Sequence, residues 1–231
     1  MKGKIILLIL GIVLICTGCG KKEPIESLYR DAEKLEANIL KNVNTISQCR
    51  SSYEKILLEA EDSEFAPLAC YKLGKLNEIF GHYDEAIDYY KKLLSLYPEH
   101  PICADGLLSM AQIYQLHLDK NEEAMAIYQQ LVTFYPDQTV SFEGYLQLGQ
   151  RASRKEDWKD AVAYFEKLVA IYPQNEMCDD LYFRIGDILQ HKLEEPSQAK
   201  EKYKTLIEKY PNSTWIKYSK ERLAFLNEGG N

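Results

Sequence analysis

Four Tyr-Pro pairs cut this chain into near-equal lengths: Tyr97-Pro98, Tyr135-Pro136, Tyr172-Pro173 and Tyr210-Pro211. Their prolines are 38, 37 and 38 residues apart. A period of this size marks a stack of supersecondary units, none of which can bury its apolar face alone. Such a stack presents an extended binding surface rather than a catalytic cleft.

Each unit repeats more than its Tyr-Pro pair. Twelve residues before each proline stands Ala86, Ala124, Ala161 or Ala199. Four residues on comes an aromatic: Tyr90, Tyr128, Phe165 and Tyr203. Three further on is Leu93, Leu131, Leu168 or Leu206. Upstream lies an apolar residue followed by a small one: Leu73-Gly74, Met110-Ala111, Leu148-Gly149 and Ile185-Gly186. Spacings of 3, 4 and 7 put these side chains on one helical stripe. The small residues let two helices approach, and the aromatics and leucines fill the seam. Proline cannot continue a helix and pushes the preceding residue out of the helical region. The spacing therefore predicts helix, turn, helix and stop in every unit, an all-α chain.

This pattern resembles the tetratricopeptide repeat, which places Gly, Ala, an aromatic and Pro at fixed offsets in about 34 residues. The first unit matches through Gly74, Ala86, Tyr90 and Pro98, with Gly81-His82-Tyr83-Asp84-Glu85-Ala86 as its turn. The third matches through Gly149, Ala161, Phe165 and Pro173. The second and fourth carry one extra residue before Ala124 and Ala199. The resemblance covers roughly residues 64–228 and implies a right-handed superhelix of helix-turn-helix units. We expect four repeats plus a capping helix over residues 63–228, and a frayed tail at 229–231. Ser213 and Thr214 are candidate caps for a final helix through Trp215 to Leu226.

Residues 25–62 admit two readings. Cys49, Tyr53 and Ile56 match the Ala, aromatic and Leu positions, which makes the segment a degenerate repeat, the favoured reading. Ile25, Leu28, Ala32, Leu35, Ile39, Asn42 and Ile46 continue the same 3-4 spacing. That makes it one long heptad helix, an oligomerisation seam over residues 25–56.

The N-terminus addresses the chain. Lys2 and Lys4 precede an apolar run from Ile5 to Ile15, too short for a span of about 20 residues. A basic head, a short apolar core and small residues make a secretory signal over residues 1–18. Cys16-Thr17-Gly18-Cys19 resembles a bacterial lipobox, which implies lipidation of Cys19 and a linker over residues 19–24. Cys16 stands where that motif usually has leucine. An uncleaved anchor or an ordinary cut near Gly18 is the competing reading. Gly20 follows Cys19, and no aspartate does. By the same resemblance this favours the periplasmic face of an outer membrane. In a single-membraned cell it favours the outer face of that membrane.

The formal net charge is −7, with 35 acidic and 28 basic side chains. No basic patch is present, which argues against nucleic acid as a partner. Cys49, Cys70, Cys103 and Cys178 read as buried free thiols, with a Cys49–Cys70 bridge as the alternative. The sequence holds no His-Glu-x-x-His, phosphate loop or Gly-x-Ser-x-Gly elbow. We expect no catalytic residue, metal or cofactor. His117 and His191 fall in the expanded turns of units two and four.

In tetratricopeptide proteins the first helix of each unit lines a concave groove. Projecting that register onto this chain gives a first row of Tyr71, Leu108, Leu146 and Phe183. A second row is Lys75, Gln112, Gln150 and Asp187. A third is Glu78, Gln115, Ser153 and Gln190. An apolar row flanked by amides and single charges suits a peptide partner. The same apolar row also suits packing between units.

Two families of exported repeat proteins look similar. One is the lipoprotein subunit of the β-barrel assembly machine (BamD-like), through the lipobox and the Tyr210-Pro211-Asn212-Ser213-Thr214 ending. The other is the cell-division coordinator of the Tol-Pal system, through the 25–56 seam. Both imply a non-enzymatic scaffold that holds envelope proteins. An envelope hydrolase with docking repeats is the competing class, and the repeats leave no room for its second domain.

Overall fold

The computed structural model describes residues 24–38 and 43–229. Every regular element among them is helical. The N-terminal pair is α1 (Ile25–Glu36) and α2 (Val43–Glu59). Four further pairs follow in order. They are α3 (Phe65–Ile79) with α4 (Tyr83–Leu96), and α5 (Cys103–Gln112) with α6 (Asn121–Phe134). Next come α7 (Ser141–Arg154) with α8 (Trp158–Ile171), and α9 (Cys178–His191) with α10 (Pro196–Lys209). A single helix, α11 (Ile216–Asn227), closes the stack. Each helix packs on the next in sequence, which builds a helical-repeat superhelix. The first helices also meet one another, α1 with α3, α3 with α5 and α5 with α7. Successive second helices have no comparable contact, so the first helices line the inside of the curve.

The repeated residues form the core. Ala86, Tyr90 and Leu93 are fully buried, as are Ala124 and Leu131, Ala161, Phe165 and Leu168, and Ala199, Tyr203 and Leu206. Small residues permit this closeness. A Cβ added to Gly74 would lie 2.4 Å from Tyr90 Cε1, and one added to Gly149 would lie 2.4 Å from Phe165 Cε1.

Each Tyr-Pro pair makes the same turn. The Tyr N–H closes its helix on the leucine four residues back, as Tyr97 does on Leu93 at 2.9 Å. The Tyr carbonyl then accepts from the residue three ahead, as Tyr135 does from Gln138 and Tyr172 from Asn175. Proline's fixed φ suits the second position of such a turn. The phenol reaches back one unit. Tyr135 Oη donates to the Pro98 carbonyl at 2.8 Å, Tyr172 Oη to that of Pro136 at 2.9 Å and Tyr210 Oη to that of Pro173 at 3.0 Å. Tyr97 Oη does the same with Glu61 at 3.1 Å. The pair that punctuates the sequence thus also staples neighbouring units.

The turns inside the units share one left-handed residue, always five before the alanine. Gly81 takes φ 75° there, and Asp119, Glu156 and Glu194 take 52°, 62° and 55°. Unit two absorbs its extra residue inside the helix, where α5 widens into a π turn at Ile113–His117. His117 and His191 therefore end helices rather than sit in expanded turns.

The N-terminal segment forms two helices whose apolar seam closes within the chain. Leu28, Ala32, Cys49, Tyr53 and Ile56 are all buried in one cluster with Ala69 and Leu73. Tyr53 Oη donates to Glu36 at 2.8 Å. These five seam residues thus pack within the chain, while Ile39 and Asn42 of the same seam lie outside the described residues. At the other end, α11 begins at Ile216 without a side-chain cap. Ser213 Oγ instead accepts the Trp215 N–H at 3.0 Å, which shapes the turn before the helix.

All four cysteines among the described residues are free and buried. Cys103 and Cys178 donate to the carbonyls of Tyr97 and Tyr172, each at 3.1 Å, and Ser141 does the same to Tyr135. At these three equivalent positions thiol and hydroxyl supply the same donor. Burial pushes the Cys49 thiol up to about 11 and the Cys70 thiol up to about 12. They stay protonated and unreactive at neutral pH.

Candidate functional site

The three projected rows separate into packing and surface. In the first row, Leu146 is buried in the main core and unavailable to a partner. Tyr71 is half-buried and packs on Tyr90 with ring centroids 5.9 Å apart. Leu108 packs against the same core as Leu146. Phe183 stacks on Trp215 at 4.3 Å and tilts on Tyr203 at 5.8 Å. This row joins units together.

The third row is held by hydroxyl groups from behind. Tyr90 Oη donates to Glu78 at 2.9 Å, Tyr128 Oη to Gln115 at 3.0 Å and Tyr203 Oη to Gln190 at 3.2 Å. Tyr53 and Glu36 repeat the arrangement in the N-terminal pair. In unit three the aromatic is Phe165, which has no hydroxyl, and its partner position is Ser153. The Ser153 hydroxyl turns to the Gly149 carbonyl at 3.0 Å instead. The two positions therefore change together, for a hydrogen-bonding reason. The row also links units: Lys72 pairs with Glu36 at 3.0 Å, and Gln115 Nε2 donates to Gln147 at 3.2 Å.

The second row holds the groups with spare capacity. Lys75 is paired with Glu78 at 2.8 Å, and Asp187 lies 3.5 Å from His191 and 3.6 Å from Arg222. Gln112 and Gln150 are half-buried on α5 and α7, and neither amide has a hydrogen-bond partner among the described residues. Each offers a donor and an acceptor to a peptide backbone.

Two exposed apolar residues stand beside them that the three rows omit. Ile79 on α3 and Leu116 in the π turn are 55% and 69% exposed. Each lies one residue past the third row, and the same position holds Arg154 and His191 in the later units. Extending the projection by one residue reveals them. The site is thus an amide pair with an apolar rim toward the N-terminal units and a basic rim toward unit three. Arg151 on α7 pairs across to Glu122 on α6.

Cys19 lies outside the described residues. Among the described residues no group of three His, Cys, Asp or Glu side chains could hold a metal ion. No helix among them is long and apolar enough to cross a membrane.

Comparison with known proteins agrees with this geometry. Tetratricopeptide-repeat models match residues 67–100, and residues 105–137, 143–175 and 180–213. The MamA protein has a similar crystal structure, with TM-score 0.52 and 19% identity, over 84% of this chain and 95% of that one. So has YrrB, described as a TPR protein with an unusual peptide-binding site, with TM-score 0.50 and 20% identity over 87% and 94%. A tetratricopeptide repeat protein from Parabacteroides merdae aligns with TM-score 0.52 and 17% identity over 88% and 74%. At these identities the likeness concerns the fold. No curated protein matches the sequence. With four consecutive repeats matched over more than half of its length, the chain belongs to the tetratricopeptide-repeat family.

Proposed function

We propose that this protein is a non-enzymatic scaffold that captures an extended peptide segment along the inner face of α3, α5 and α7. The observation that carries this reading is the pair of half-buried, unpartnered amides, Gln112 and Gln150, beside exposed Ile79 and Leu116. An amide ladder fixes the register of a main chain, and the exposed apolar residues take its side chains. The test is a photocrosslinking residue at position 116 in the native cell, with captured proteins identified by mass spectrometry. Gln112→Ala with Gln150→Ala should abolish the specific adducts while leaving the fold unchanged. Adducts that persist in that variant would refute the groove.

The proposal extends to the cell envelope. Lys2, Lys4, the apolar run and Cys16-Thr17-Gly18-Cys19 support lipid tethering at Cys19 on an extracytoplasmic membrane face, by preference that of an outer membrane. Cys19→Ser should move the protein from the detergent phase to the aqueous phase on Triton X-114 partition. In this setting we favour a BamD-like role in outer-membrane protein assembly over a Tol-Pal-type coordinator. Burial of Leu28, Ala32, Cys49, Tyr53 and Ile56 of the 25–56 seam within the chain supports this preference. Recovery of Tol-Pal or wall-synthesis proteins as the main adducts would reverse that preference.

A further inference from the structure

A second surface lies at the outer edge formed by the Tyr-Pro turns, away from the amide pair. Two adjoining cavities meet there and share Pro98 and Glu99. One, of about 400 Å³, is lined by Leu94, Leu107, Phe134 and Tyr135. The other, of about 680 Å³, is lined by Pro67, Leu96, Tyr97 and Pro101. Leu96 is 42% exposed and Phe134 70% exposed at this edge. Exposed large apolar side chains grouped around a cavity mark an interaction site more often than a bare surface.

The rim carries one sign of charge. Glu61, Asp62, Glu64 and Glu99 line the trough, and no Lys or Arg does. None of these four carboxylates has an ion pair among the described residues. The repeats themselves show that this character is local. Two residues before the proline stand Leu96, Phe134, Ile171 and Lys209, and one residue after it Glu99, Asp137, Gln174 and Asn212. Apolar bulk and acidity both fade toward the C-terminus. The equivalent cavity at the next joint keeps Val132, Pro136 and Tyr145 in its lining, but its charged residues are Asp160 and Lys167, one of each sign.

We propose that the Tyr-Pro edge of the first two units docks a protein segment of basic amphipathic character, apolar side chains flanked by Lys or Arg. The trough takes the apolar side chains, and the unpaired carboxylates take the cations. The same carboxylates repel an anionic lipid surface, which leaves a protein segment as the occupant.

The probe is a fluorescent amphipathic helical peptide built only of Leu and Lys, titrated onto the full-length protein in detergent. Leu96→Ser with Phe134→Ser, both at exposed positions, should weaken binding about tenfold. Neutralising the four rim carboxylates to amides should do the same. Neutralising Glu201, Glu208, Glu221 and Glu228 on the far units removes equal charge and should change little. Equal weakening by that distant set would reduce the binding to general charge and overturn the proposal. So would loss of binding in Gln112→Ala with Gln150→Ala, which would place the peptide on the inner face. A parent protein that self-associates through this edge, and becomes monomeric on Phe134→Ser, would overturn it too, because the occupant would then be a second copy.

Discussion

Gly149→Ala tests the reasoning that small residues set the spacing between paired helices. The added Cβ would stand 2.4, 2.7 and 3.0 Å from Cε1, Cδ1 and Cζ of Phe165. Carbon atoms prefer about 3.5–4.0 Å, so the overlap is about 1 Å at the ring edge. Phe165 is fully buried between α7 and α9 and has no open side to move into. Overpacking of this kind costs about 1–3 kcal/mol. Against it stands the helix preference of Ala over Gly, about 1 kcal/mol. A 2.4 Å approach puts the overlap at the upper end of that range, so it outweighs the helix gain and a net loss of about 2 kcal/mol follows. For a chain of this size that lowers the melting temperature by about 4–8 °C. Urea unfolding followed by circular dichroism measures it. Gly106→Ala is the control, because its Cβ meets one Leu93 methyl carbon at 3.0 Å, the mobile end of a side chain. Shortening the ring with Phe165→Leu should relieve part of the penalty in the double variant. A Gly149→Ala protein as stable as its parent, or Gly106→Ala equally damaged, would refute the argument.

Gly81→Ala meets no atom within 4 Å but forces φ 75° on a side chain, so it should cost about 1 kcal/mol from backbone strain alone. Tyr135→Phe should lose about 0.5–1.5 kcal/mol with its bond to Pro98, measured by the same unfolding curves. Burial pushes Tyr135, Tyr172 and Tyr210 up to about 12. A phenol raised above its unfolded value of about 10 stabilises the fold fully below that pH. The stabilisation is lost as pH rises from about 10 through 12, so ellipticity followed at increasing pH should collapse in that window and not between pH 7 and 9. Ellman's reagent should leave Cys49, Cys70, Cys103 and Cys178 unmodified at pH 7.5 until urea unfolds the chain; prompt reaction would contradict their burial.

The unit boundaries and the core were legible in the sequence because their causes are local. Helical period, the small residue opposite an aromatic, and the inability of Pro98, Pro136, Pro173 and Pro211 to continue a helix all act over a few residues. The proposed partner face was legible only in part. Projection put Gln112 and Gln150 in a groove row, where both are half-buried, yet also chose Leu146 and Phe183, which the packing buries or stacks. It missed Ile79 and Leu116, which lie one residue beyond its rows.

Sequence by itself determined the repeat, the helix pairs and the alanine–aromatic–leucine seam. Tertiary structure alone decided which members of each row remain free. The phenols of Tyr90, Tyr128 and Tyr203 claim Glu78, Gln115 and Gln190 from the helix behind, over 12 or 13 residues. The Tyr-Pro phenols reach a carbonyl about one whole unit back, such as Tyr135 to Pro98. The 25–56 seam was equally apolar in either reading, and its described members Leu28, Ala32, Cys49, Tyr53 and Ile56 share a buried cluster with Ala69 and Leu73 of α3. Periodicity states which side of a helix is apolar, and only the packed stack states what that side meets.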